Sequence, residues 1–209
     1  QDAPSVLVVA VDALLGRGTL AAADHYLEKA GRKYPGEVRI ALRRLRLDAV
    51  WWLVTPGNPL KDGRSLAPLH ERLRASVALE HDPRIHVTML ETHLGTRFTA
   101  DTLKAIVRLF PRISFVWIMG ADNLASFHRW RNWRSIFRTM PVAVVARPGY
   151  AMKALASPAA RSFADRRIEA IDAALLPALA APAWTYLEER LDASSSTDIR
   201  ARALWPIQR

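Results

Sequence analysis

Three serines and a threonine, Ser194 to Thr197, run directly into an arginine-bearing segment in the stretch LDASSSTDIRAR. Ser, Thr and Asp in this order read as a helix start, where the first backbone N–H groups lack intrahelical partners and hydroxyls lie beside them. Such an end attracts anions, and Arg200 would stand one turn inside it. An ordinary N-cap has the same pattern, so the stretch alone names no ligand.

Three other segments carry compatible chemistry. TPGNPLKDG holds Lys61 after a turn stiffened by Pro56 and Pro59. A lysine there can meet a phosphate as a point charge, although a solvated surface lysine is the commoner case. GADNLASFHRW places Asp122 two residues after Gly120. Glycine permits close backbone approach and the acid can accept ribose hydroxyls, but a turn with an Asp cap reads the same way. Trp130 and Trp133, three apart on an expected helix, fit either the core or a ring stacked on a heteroaromatic base. His128 reads as a partly exposed helix residue. ARPGY offers Arg147 before a Pro-Gly turn, directed at phosphate or simply at solvent.

Other chemistries find little support. The chain has no cysteine, which excludes disulfides, Cys-ligated zinc and thiol nucleophiles. H-E-x-x-H, the P-loop G-K-[ST] ending and G-x-S-x-G are all absent. GRGTLAA, Gly16 to Ala22, lacks the third glycine of the dinucleotide fingerprint. With 30 Lys+Arg against 20 Asp+Glu, the formal charge of +10 suits phosphate-rich ligands or nucleic acid and specifies neither. No apolar run reaches the roughly 18 residues of a membrane span, and the expected compartment is the cytoplasm.

These segments need elements to hold them. Short apolar runs that read as buried strands are SVLVVAVD, AVWWLVTP (Ala49 to Pro56), RIHVTML (Arg84 to Leu90), SFVWIMG (Ser114 to Gly120), PVAVVARPG (Pro141 to Gly149) and AWTYLE. Helical patterns fall between them at Ala67 to Glu80, Thr99 to Phe110 and Trp130 to Thr139, with a longer Ala-rich region from Ala151 to Leu179. The alternation predicts an α/β fold: a doubly wound, mostly parallel sheet with crossover helices, in a single domain over residues 1–209. Ligands of such sheets bind beyond the carboxyl ends of the strands, where all four polar segments fall.

Taken together, LRLDAVWWLVTPGNPLKD, TRFTADTL, FVWIMGADNLASFHRWRNWRSIF, VVARPGY and SSSTDIR resemble segments of bacterial nicotinate-nucleotide adenylyltransferases, of the nucleotidyltransferase α/β-phosphodiesterase superfamily. The resemblance runs in the family's order from Leu45 to Arg202. It implies a Rossmann-like nucleotidyltransferase fold and adenylyl transfer from MgATP to nicotinate mononucleotide in NAD biosynthesis, with Mg2+ arriving on ATP and no dedicated protein metal site. It further implies that Ser195, Ser196, Thr197 and Arg200 bind ATP phosphates and that Asp122, after Gly120, contacts ribose. Trp130 would stack on the nicotinate, Thr99 would help hold its carboxylate, and Lys61 and Arg147 would be substrate-loop contacts.

The family also opens with a strand leading into G-G-S-F-N-P-x-H-x-G-H, whose histidines hold the ATP phosphates. Residues 1–40 lack it: the only histidine there is His25, and YPGE has the spacing of H-x-G-H without either imidazole. A frameshifted or mis-started reading, a divergent paralogue or an altered N-terminal sequence would each produce this. The abrupt end of the resemblance favours the first. The catalytic groups are therefore unassigned. Two alternatives stay open beside the enzyme, a nucleotide-binding paralogue with impaired catalysis and a basic nucleic-acid-binding module. The expected partners are the two small-molecule substrates, with no nucleic acid or membrane; self-association is left open.

Overall fold

The computed structural model describes residues 5–11, 38–54 and 68–188. Among the described residues, seven strands form one sheet: β1 Ser5–Val11, β2 Ala49–Val54, β3 Ile85–Thr88, β4 Ser114–Gly120, β5 Val142–Val145, β6 Arg167–Ile168 and β7 Trp184–Leu187. Their order is β3-β2-β1-β4-β5-β7-β6, and every pairing is parallel. The strand order reverses direction at β1 and β4, the switch point at which ligands of doubly wound sheets sit. Six of the strands lie within the apolar runs expected from the sequence.

The sheet is parallel because apolar runs such as SFVWIMG and VAVV can satisfy no solvent face. Six of the seven β4 residues are buried, as are all four of β5. Phe115, Trp117 and Met119 pack into one core with Leu103 and Ile106 of helix Thr99–Leu109 and Ile136 and Phe137 of helix Trp133–Thr139. Val116 and Ile118, on the opposite side of the same strand, pack with Leu42, Leu45, Ala173 and Leu176. Period-two alternation thus feeds two cores, one on each face.

The Ala-rich region departs from the helical expectation. It breaks into helices Ala151–Leu155 and Pro158–Ser162, a 3-10 turn, the two-residue strand β6 and a 3-10 segment Ala170–Ala178. Proline sets the breaks: Pro158 opens a new helix whose N-cap Ser157 accepts from the Ala160 amide at 3.2 Å, and Pro177 supplies no N–H inside the last segment. A second departure lies at Trp130–Thr139. The helix begins at Trp133, because Asn132 adopts a left-handed conformation (φ 53°) and Trp130 is extended.

One buried polar network braces the turn before helix Thr99–Leu109. Thr102 is buried and its hydroxyl lies 3.2 Å from Glu91 Oε1 and 2.8 Å from the Thr96 hydroxyl. The Thr96 amide donates to the Glu91 carbonyl at 3.0 Å, next to Gly95 at φ 63°. Thr102→Val keeps the shape and removes the hydroxyl from a buried carboxylate, so it is expected to cost about 1–3 kcal/mol. Urea denaturation checks this; a change below about 0.5 kcal/mol, the usual range for surface substitutions, would show that the network contributes nothing.

Candidate active site

Register decides what meets at the carboxyl edge of the sheet. Gly120 of β4 stands opposite Val145 of β5, so the residues two positions further along, Asp122 and Arg147, emerge side by side. They form an ion pair, with Arg147 Nη1 donating to Asp122 Oδ2 at 2.5 Å. The arginine side chain is only 9% exposed and the carboxylate 30%, so the pair is shielded on the arginine side. Asp122 lies in the first turn of helix Ala121–Ser126, where a negative charge complements the exposed amides.

Gly120 makes the pair possible. A Cβ at that position would lie 2.5 Å from Arg147 Nε and 2.6 Å from Asp122 Oδ1. The second carboxylate oxygen, Oδ1, is buried and accepts no hydrogen bond among the described residues. That leaves a buried acceptor without a partner among those residues, held in place by a cation on the other oxygen of the same carboxylate.

Trp130 follows the 3-10 turn Phe127–Arg129. It is half-buried, with its ring 5.0 Å from that of Phe127 at 46°. Trp133 is a core residue, 7% exposed, whereas Trp130 packs against the same core and keeps part of its surface exposed. His128 belongs to the 3-10 turn and is partly exposed, as the sequence suggested, although its Nδ1 is buried. Thr99 is the first residue of its helix and half-buried, on the connection that leaves β3.

Of the residues singled out in the sequence, the structure brings Gly120, Asp122 and Arg147 into direct contact. Thr99 and Trp130 stand on neighbouring connections at the same edge, since helices Thr99–Leu109 and Trp133–Thr139 pack together. Lys61, Ser195, Ser196, Thr197 and Arg200 lie outside the described residues. Sequence reasoning missed two features, the Glu91–Thr102 network and a contact between Phe98 and Arg131, whose guanidinium carbon lies 4.4 Å from the ring centre. Thr96, Phe98 and Thr102 all lie in TRFTADTL, but nothing in that segment names Glu91 or Arg131 as their partners.

Residues 38–202 match the family model described as cytidylyltransferase-like. A Methylorubrum extorquens (strain PA1) protein named "Probable nicotinate-nucleotide adenylyltransferase" is 56% identical over 164 residues, 78% of this chain and 89% of the relative. A protein of the same name from Brucella abortus (strain 2308) is 52% identical over 161 residues, 77% of this chain and 83% of the relative. The solved structure of Plasmodium falciparum nicotinic acid mononucleotide adenylyltransferase complexed with NaAD aligns with a TM-score of 0.55 at 14% identity, covering 95% of this chain and 83% of that one. At that identity the likeness speaks for the fold alone.

Proposed function

This chain belongs to the nicotinate-nucleotide adenylyltransferase family, and we propose that it transfers the adenylyl group of MgATP to nicotinate mononucleotide. A phosphate oxygen of the mononucleotide attacks the α-phosphorus in line. The bond to the bridging oxygen breaks, and pyrophosphate leaves with the magnesium, forming nicotinate adenine dinucleotide for NAD synthesis. The reaction needs no covalent intermediate, so positioning and charge stabilisation must supply the rate. That suits an edge furnished with arginine, a fixed carboxylate and an open aromatic ring.

The observation that carries the reading to this chain's own residues is the Asp122–Arg147 pair beside Gly120, with Oδ1 still able to accept. In this reading Asp122 receives a ribose hydroxyl, Trp130 stacks on the pyridine ring and Thr99 helps hold its carboxylate. Lys61 serves a substrate loop, Arg147 acts by holding the Asp122 carboxylate in place instead of meeting the substrate freely, and Ser195, Ser196, Thr197 and Arg200 bind the ATP phosphates. Mg2+ enters on ATP, mostly keeping its waters, and needs no protein cage. No helix among the described residues is long and apolar enough to cross a membrane, and we place the enzyme in the cytoplasm.

The acid form of the substrate is expected to be preferred. A coupled assay offering nicotinate and nicotinamide mononucleotides in competition tests this: the acid should be consumed first, and equal use of both would refute the preference. A second reading rests on one observation, the lack of the family's histidine motif in residues 1–40. It is a nucleotide-binding paralogue without useful catalysis, which calorimetric binding with no turnover would select.

A further inference from the structure

We propose that Phe98 and Arg131 form a clasp that fixes the spacing between Thr99 and Trp130 and so sets the affinity for the pyridine mononucleotide. The inference deepens the substrate reading above and rests on it. Phe98 immediately precedes Thr99, and Arg131 immediately follows Trp130. The Arg131 guanidinium carbon stands 4.4 Å from the Phe98 ring centre, within cation–π range. The contact therefore joins the connection after β3 to the connection after β4 next to both groups assigned to the pyridine.

Each half of the clasp has its own anchor. On the Phe98 side, the carbonyl of Phe98 accepts the Asp101 and Thr102 amides at 2.9 and 3.1 Å and the Thr102 hydroxyl at 3.2 Å. That hydroxyl also meets buried Glu91, so the turn is tied to the protein interior. On the Arg131 side, the Trp130 amide donates to the Phe127 carbonyl at 2.9 Å and Ser135 to the Asn132 carbonyl at 2.8 Å. Between those bonds the chain turns through the left-handed Asn132, leaving Trp130 and Arg131 on a corner with anchored ends. Two separately anchored corners can still shift relative to each other. The Phe98–Arg131 contact spans them, and both side chains are at least partly exposed, so the contact is not required by core packing.

Arg131 and Phe98 are positioning residues in this account, and their substitution should act on one substrate only. The test measures dissociation constants by calorimetry for nicotinate mononucleotide and for ATP. It compares the wild-type protein with Phe98→Leu, Arg131→Met and the double variant, with melting temperatures recorded for each. An exposed cation–π contact of ordinary strength predicts that either single change weakens mononucleotide binding about two- to fivefold. The double variant should be no weaker than the singles, because both remove the same contact. Phe98→Tyr and Arg131→Lys, which keep ring and cation, should restore affinity, while ATP binding and melting temperature stay unchanged.

Additive losses in the double variant would overturn the clasp and make Arg131 an independent contact to the substrate. Equal weakening of ATP binding, or affinity losses that follow melting temperature, would overturn it as well. If the wild-type protein binds no nicotinate mononucleotide, the substrate reading itself fails and the clasp falls with it. That outcome is distinct from any of the variant results.

Discussion

Replacing Gly120 by alanine is expected to weaken binding of nicotinate adenine dinucleotide about 10- to 100-fold, the range for losing a hydrogen bond to a charged group, while leaving the fold intact. The added methyl would stand 2.5 Å from Arg147 Nε, 2.8 Å from Arg147 Cζ and 2.6 Å from Asp122 Oδ1. Comfortable carbon contacts need about 3.5–4.0 Å, so the pair must give way by roughly 1 Å. All three crowded atoms belong to side chains, so the backbone of β4 can stay where it is. The carboxylate then no longer points its buried oxygen where a ribose hydroxyl can reach it. A displacement of that size is enough to lose about 10²-fold in rate. Titration calorimetry with the dinucleotide, alongside a melting curve, checks the expectation. Affinity within threefold of wild type would mean that Asp122 Oδ1 takes no part in binding.

The second large effect concerns turnover. Residues 1–40 as they stand lack the paired histidines that the family motif would aim at the ATP phosphates. Phosphate handling would then fall to Ser196, Thr197, Arg200 and Lys61. A group aimed at developing charge typically contributes about 10²–10³ in rate, so lacking two should leave turnover barely detectable. ATP binding should persist more weakly through the segment around Ser196, and Arg200→Ala should remove it. Rapid-quench kinetics on protein whose N-terminus has been verified by mass spectrometry is the check. A turnover number in the ordinary range of about 1–10³ s⁻¹ would show that other groups had taken the histidines' place. His25 would be the first residue to change.

The parts of the fold carried by local pattern could be read from the sequence. SFVWIMG is bounded by the polar edge of the preceding turn and by Gly120, and β4 spans those seven residues. The polar segments after β4 and β5 lie at the carboxyl edge because a parallel sheet leaves them nowhere else to be. What the sequence could not show depends on distant pairings. The Asp122–Arg147 contact follows from the register between β4 and β5, and no spacing within either segment reveals that register. Trp130 and Trp133 look alike in a helical repeat, and only the left-handed Asn132 separates them into a partly exposed ring and a core residue. The Ala-rich stretch departs from its helical pattern because alanine's helix propensity is weak against two prolines and the pull of β7, along which Arg167 and Ile168 pair. Glu91 gave no signal, since a charge after a short strand is usually solvated and this one is 4% exposed.

Product identification tests the assigned reaction most directly. Mass-verified protein at high concentration is incubated with MgATP and nicotinate mononucleotide, long enough to reveal even slow turnover, and the mixture is separated and weighed by mass spectrometry. The account predicts nicotinate adenine dinucleotide and pyrophosphate in equal amounts, both lost when the mononucleotide is left out. ATP cleaved to AMP without any dinucleotide, or tight binding of both substrates with no product at all, would contradict it.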